Sequence, residues 1–255
     1  MNKYVAESGH WYDQDGSPAY TIIGANGSER NTTLRDARKL RLVPSVTTIL
    51  GVAAKPALEN WKVDQAILAA TTLEQHNSET LEEFRSRIKW KSKQEGKKAA
   101  ERGTEIHAQI EKGFKGKSKN DAYCAVRDYL ELMFPGETWF AEESFTSNLG
   151  YGGKMDLRSA AGVFVDFKTK DGLTENSDGS KLVYDEHGMQ LSAYAAGANF
   201  INPERMSVFI DRKDPTIVCG YVWPQESHER HLEMFKQLLS YWKLVKKYNP
   251  NEEKQ

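Results

Sequence analysis

The sequence predicts an α/β fold, and three observations carry that prediction. A strand-rich stretch runs from Thr138 to Lys170. Two further strand patterns, "RMSVFID" and "TIVCGYVW", follow a helical run, "MQLSAYAAGANF". Last, "ESHERHLEMFKQLLSYWKLVKKY" closes the chain with the period of an amphipathic helix. At 255 residues the chain can bury a sizeable core, and one domain with insertions is the simplest organisation.

Taken in order, residues 1–55 read as a small β element, "AYTII", followed by a short helix whose start in "NTTLRDARKL" carries capping residues, and then the short apolar element "VPSVTTILG". Residues 56–120 read as helical. Pro56 suits a first helical turn, and Leu58, Trp61 and Ala66 suggest a buried stripe. The charge then changes sign along the chain, from "LEQHNSETLEEF" to "RSRIKWKSKQEGKKAAER", which holds eight basic and two acidic side chains. Residues 121–248 open with the helix "DAYCAVRDYLELMF" and contain the strands; "LTENSDGSKLVYDEHG" reads as a mobile polar loop and the terminal "NPNEEKQ" as a frayed tail. No internal repeat is found.

A net charge of -1, with 39% hydrophobic and 28% charged residues, argues against a generally polyanion-binding surface, so any such site must be local. Cys124 and Cys219 alone make neither a disulfide framework nor a four-cysteine zinc or iron–sulfur site. No run is long enough to span a bilayer and the N-terminus has no apolar signal-type region, so the expected location is cytoplasmic, with no membrane partner.

The chemistry concentrates in "GYGGKMDLRSAAGVFVDFKTK". Alternation puts Lys154, Asp156 and Arg158 on one face of the first strand, and Phe164, Asp166 and Lys168 on one face of the second. The short "SAAG" closes an antiparallel hairpin, which brings Asp156 opposite Asp166. Opposed carboxylates cost a few tenths to about 1 kcal/mol when exposed and more when desolvated. A divalent cation between them reverses the sign, and hard oxygen ligands suit Mg2+ or Mn2+. The competing reading is a solvated pair, each acid bridged by Lys154, Arg158 or Lys168.

Elsewhere, alternation over "TWFAEESF" points Glu143 inward, unless a bulge lets Glu142 and Glu143 both reach solvent. Helical spacing in "RGTEIHAQIEKGF" puts Gly103, Ile106, His107, Ile110 and Phe114 on one stripe. A histidine on an apolar face is more often a hydrogen-bonded core residue than a ligand. Gln190 and Tyr194 fall one turn apart on a small-residue helix face. Arg85, Lys89, Lys93 and Lys97 recur every fourth position, with Trp90 among them. That row is either a solvated face or a phosphate track with a stacking platform.

In order and spacing, "GTEIHAQIE", Glu143, "GYGGKMD", "VDFKTK" and "QLSAY" resemble the motif series of the RecB-like branch of the PD-(D/E)xK nuclease superfamily. "HWYDQDGSPAY", "TTLRDARKLRLVPSVTTILG" and "KPALENWKVDQA" resemble the N-terminal part of bacteriophage and prophage exonucleases of that branch, and Met155 replaces the proline of the superfamily's name. The resemblance implies a restriction-endonuclease-like core, a mixed central sheet flanked by helices, with a helical N-terminal insertion over 56–120 that guides DNA and a nuclease core over 121–248. It implies a Mg2+-dependent DNA exonuclease in phage DNA recombination, replication or degradation, with Mn2+ able to substitute and no iron–sulfur cluster.

As metal ligands it implies Asp156, Asp166, the backbone carbonyl of Phe167, and His107. Lys168 would orient or activate the attacking water, Glu143 would be a second acid, and Gln190 and Tyr194 would position the scissile strand or brace the site. Ser45 and Lys62 would contact phosphate. The basic row with Trp90 is read as tracking DNA, and the partner beyond DNA as a phage single-strand-binding or annealing protein. The alternatives are a structure-specific endonuclease with the same core and a catalytically silent DNA-binding recombination partner.

Overall fold

The computed structural model describes residues 9–252. The chain starts with β1 (Trp11–Tyr12), the hairpin β2 (Thr21–Ile23) and β3 (Glu29–Asn31), helix α1 (Leu34–Leu40), β4 (Val43–Pro44) and helix α2 (Val46–Leu50). β1 pairs with β4 and β2 with β3, both antiparallel. The helix starts follow from their caps. Thr33 and Asp36 form a capping box at α1, and the Ser45 hydroxyl accepts from the Thr48 amide at α2.

Two long helices follow, α3 (Pro56–Thr72) and α4 (Leu81–Phe114), then α5 (Asp121–Met133). Pro56 sits in the first turn of α3. The expected burial of Leu58, Trp61 and Ala66 needs correction: α3 packs mainly on α4, only Ala69 of α3 is buried, and Leu58 is 43% exposed. A helix with one main neighbour covers only a narrow strip of its surface.

The core sheet comprises β5 (Trp139–Ser147), β6 (Tyr151–Ser159), β7 (Val163–Lys170), β8 (Glu204–Asp211) and β9 (Val218–Val222), in that order. Every neighbouring pair is antiparallel except β7 and β8, which run parallel. A parallel pair needs a long crossover, and helix α6 (Asp185–Gly197) lies within it. Helix α7 (Ser227–Lys246) ends the regular structure.

The sheet separates two cores. On one face Phe164, Met155, Phe145 and Tyr151 pack with α6, α7 and the N-terminal elements through Leu191, Phe235, Trp242, Trp11 and Ile49. On the other, Leu157, Val165, Phe167 and Val208 pack with Ile106 and Ile110 of α4 and Val126 and Leu130 of α5. The architecture is a helix–sheet–helix sandwich. Among the described residues, no helix is long and apolar enough to cross a membrane.

Two further expectations are corrected. The segment expected to be a mobile loop is docked: Leu173 is buried, and a Cβ on Gly179 would lie 2.2 Å from the Gly220 carbonyl oxygen. Its polar residues are satisfied locally, Asp178 accepting from the Ser180 amide and Ser177 from the Thr174 amide. The expected frayed tail is tied down as far as Glu252, since Asn251 donates to the Asn148 carbonyl and the neighbouring Tyr248 hydroxyl contacts the carbonyls of Ala37 and Leu42. Residues 253–255 lie outside the described residues.

Candidate active site

The site is built where the β6–β7 ladder stops. Leu157 pairs with Val165 and Arg158 with Phe164, and pairing ends there. One residue further on, Asp156 and Asp166 are the next positions in register, but the backbones no longer bond. Instead the Asp156 carboxylate enters the gap and Oδ2 accepts from the Phe167 amide at 2.8 Å. In an extended strand a residue's N–H and C=O point to the same side, so the Phe167 carbonyl faces that gap as well.

Asp166 is 2% exposed. Its Oδ1 accepts from Gln190 Nε2 at 2.8 Å, and its Oδ2 lies 2.6 Å from Lys168 Nζ. That second contact is a buried ion pair. Lys168 donates to Gln190 Oε1 at 3.1 Å, and Gln190 also donates to the Tyr194 hydroxyl at 3.0 Å. The Gln190 amide therefore ties Asp166, Lys168 and Tyr194 into one array. Gly153 makes room for it: a Cβ there would lie 2.8 Å from Tyr194 Cε1 and 2.9 Å from Phe145 Cε1.

His107 comes from α4 on the other side of the gap. Its Nδ1 is 3.8 Å from Asp156 Oδ2, and its ring meets Phe167 edge to face with centroids 6.0 Å apart. Glu111, one turn on, pairs with Lys115 instead.

The electrostatics follow from burial and opposed charge. The Asp156 carboxyl is pushed up to about 6, first by burial and then by Asp166, with His107 and Lys168 opposing. Burial favours the neutral amine of Lys168, but Asp166 and then Asp156 outweigh it and hold the ammonium above the ordinary lysine value. Burial raises the Tyr194 phenol well above its ordinary range, and Asp166 adds to the shift.

The basic groups expected to neutralise the acids of β6 are engaged elsewhere. Lys154 pairs with Glu142, and Arg158 pairs with Glu143. This corrects the placement of Glu143, which stands with Arg158, Met155 and Phe200 in a separate recess. The reason is a shared change of face. Trp139, Ala141 and Leu157 belong to the core under α4 and α5, whereas Phe145 and Met155 belong to the core under α6. Simple alternation would put all five on one face.

The switch falls at Glu142, which has φ 61°, and at its cross-strand neighbour Asp156. A left-handed non-glycine residue costs roughly 1–2 kcal/mol and turns the next peptide over. Glu142 is the acid of the pair that holds Lys154, which lines a cleft with His107.

Two more expected residues stand apart from the acids. Ser45 is 3% exposed, and its hydroxyl caps α2 and bonds with Thr47 and Thr48. Lys62 is exposed and pairs with Glu59 at 2.7 Å on α3. Sequence reading also passed over His187, a buried neighbour of Asp166 and Lys168 whose imidazole burial, then Lys168, pushes down to about 4. Its burial in a polar stretch left nothing in the sequence to find.

Arg85, Lys89, Lys93 and Lys97 are all exposed on α4, as is Trp90. Lys97 pairs with Glu101; among the described residues the other three form no ion pair. At 100° per residue, Arg85, Lys89 and Lys93 lie within about 40° of the direction of His107, and Lys97 within about 80°. The row spans about 18 Å of the helix face that leads to the acids.

The donor set is of the kind that suits a hard divalent cation: two carboxylates, a carbonyl facing the same gap, and an imidazole. Among the described residues no group of three or more His, Cys, Asp or Glu side chains is placed to hold a metal ion.

No family model matches the chain, and no curated protein matches it. Among solved structures the chain is similar to the crystal structure of an alkaline exonuclease (LHK-Exo) from Laribacter hongkongensis, at 13% identity and a TM-score of 0.38, over 79% of this chain and 91% of that one. The chain is also similar to the crystal structure of SSO0001, at 15% identity and a TM-score of 0.32, over 71% of this chain and 85% of that one.

Proposed function

We propose that the protein is a metal-dependent DNA exonuclease that hydrolyses phosphodiester bonds from a DNA end. The observation that carries this reading is the opposed pair Asp156 and Asp166 at the end of the β6–β7 ladder, with Lys168 held between Asp166 and Gln190. Two acids opposed in a half-buried gap destabilise the fold unless positive charge offsets them; Lys168 pairs with Asp166, and a bound cation would serve both acids.

Asp156, Asp166 and the Phe167 carbonyl would hold Mg2+ or Mn2+, with His107 beside Asp156. The ion would supply a water of lowered pKa and charge for the nonbridging phosphate oxygens. Lys168, kept protonated by the acids, is suited to orient that water and to stabilise charge on the phosphate, and unsuited to act as a general base. Gln190 fixes the direction of both Asp166 and Lys168, and Tyr194 fixes Gln190.

The test is digestion of end-labelled linear DNA and of circular single-stranded DNA, with Mg2+, with EDTA, and with Asp166→Ala. Metal-dependent loss from ends that spares circles and vanishes in the variant is expected. Nicking of circles would make the protein an endonuclease. No cleavage by folded protein would leave a silent binding module.

The basic row on α4 would guide the strand towards the gap. Replacing Arg85, Lys89, Lys93 and Lys97 together by glutamine is expected to lower the salt slope of single-strand DNA binding by roughly three, since each phosphate contact contributes about 0.7. An unchanged slope would make the row a solvated face.

A further inference from the structure

We infer that the corner where α1 and α7 end docks an acidic peptide with apolar side chains, a partner contact separate from the site at the two acids. Two adjoining recesses lie there, of about 270 and 500 Å³, and Lys247, Tyr248, Asn249 and Glu252 are walls of both. Arg38 and Arg41 line the first, Lys243 and Leu244 the second. Four cations therefore share one groove with a single acid, Glu252, in a chain whose net charge is -1. Among the described residues none of the four forms an ion pair. Arg38 donates to the Lys246 carbonyl and Lys243 to the Leu149 carbonyl.

Helix dipoles account for part of this charge, since Arg38 and Lys243 stand in the last turns of α1 and α7. Arg41 and Lys247 are different. Each directly follows its helix in the left-handed region, with φ of 59° and 47°. Glycine is the usual residue there because a side chain strains that backbone. Both helix ends give up glycine for a cation on the same groove, and such strain is kept where the side chain has a use.

The apolar walls select the occupant. Leu244 is 77% exposed, and Tyr248 and Pro250 line the recesses beside the cations. A nucleic-acid backbone would bring phosphates to the cations but no apolar side chain to Leu244, whereas carboxylates interleaved with apolar side chains satisfy both. The groove is also preformed. The Tyr248 hydroxyl lies 3.0 and 2.7 Å from the carbonyls of Ala37 and Leu42, and a Cβ on Gly150 would lie 2.9 Å from Pro250 Cγ, so the terminal segment is pinned between α1 and the β5–β6 turn. No residue of this groove lines the cleft of His107 and Lys154, so the two sites can be filled together.

The experiment is fluorescence anisotropy of the full chain with labelled nonapeptides, three repeats each of Glu-Glu-Leu, Glu-Glu-Ser and Lys-Lys-Leu, and with a labelled oligonucleotide. The Glu-Glu-Leu peptide is expected to bind about tenfold tighter than the serine peptide, and the lysine peptide not at all. Arg41→Gly with Lys247→Gly removes two cations and suits the backbone at both positions. It should weaken the Glu-Glu-Leu peptide about tenfold or more while the melting temperature holds or rises and DNA binding and hydrolysis stay as in wild type. Leu244→Ser should bring the affinity for the Glu-Glu-Leu peptide down to that for the serine peptide. Equal binding of the serine and leucine peptides, or peptide binding untouched by the double glycine variant, would overturn the inference. A glycine variant that melts lower would make the two cations parts of the fold, and one that loses the oligonucleotide as much as the peptide would make the groove a DNA contact; either result also overturns it.

Discussion

Replacing Asp166 with asparagine is expected to lower DNA hydrolysis by about 10³-fold or more, and replacing Lys168 with methionine by about 10²- to 10³-fold. The first removes a carboxylate charge from the ion site. The second removes the cation that pairs with Asp166, a contribution comparable to losing a charge-stabilising donor in a closed active site. The two changes should differ in their metal dependence. Raising Mg2+ should recover part of the Asp166→Asn loss if the defect is weakened ion binding, whereas it should recover none of the Lys168→Met loss. Single-turnover rates across a Mg2+ titration check both, and a Lys168→Met enzyme within tenfold of wild type would remove Lys168 from the mechanism.

Asp156→Asn should have opposite effects on stability and activity. Burial and Asp166 hold the Asp156 carboxyl up near 6, so its ionised form at neutral pH weakens the metal-free fold. The sign is that of any raised group. Stability is fully present below the unfolded-state value near 4 and is lost as pH rises through about 6. Asparagine keeps an acceptor for the Phe167 amide and carries no charge.

In EDTA at pH 7.5 the variant is therefore expected to melt about 2–8 °C above wild type, equivalent to about 1–3 kcal/mol. The gap should close as pH falls towards 4. With Mg2+ at about 100 times its Kd the wild type should gain about 2.7 kcal/mol and the variant much less, which reverses the order of the two melting curves. Thermal melts at two pH values with and without Mg2+ decide it. A variant less stable than wild type in EDTA would show that the acids do not strain the metal-free fold.

The parts of the site that lie close together in sequence were legible before any coordinates. "VFVDFKTK" puts Asp166 and Lys168 on one strand face by alternation alone, Gln190 and Tyr194 are one helical turn apart, and Gly103 and His107 share a helix stripe. In the folded chain Lys168 and Asp166 touch, and Gln190 and Tyr194 bond. The helix starts at Ser45 and Pro56 were legible for the same reason, because caps are local chemistry.

What failed was each inference that assumed a strand or helix keeps one phase along its length or has a neighbour on its apolar side. The left-handed backbone at Glu142 changes which face follows it, so Glu143 went to Arg158. Helix α3 lies mainly on α4, so its apolar residues stayed half-exposed and Trp61 became part of a cleft wall.

By itself, then, the sequence determined the α/β class, the helix and strand content, and the two acids with their lysine, since periodicity and capping act within a few residues. Only the tertiary structure decided where the β6–β7 ladder ends, that Glu142 pairs with Lys154 and Glu143 with Arg158, and that His107 comes within 3.8 Å of Asp156. Those are relations between elements far apart in the chain, set by which backbone groups find partners and which faces find a core, and no local pattern records them.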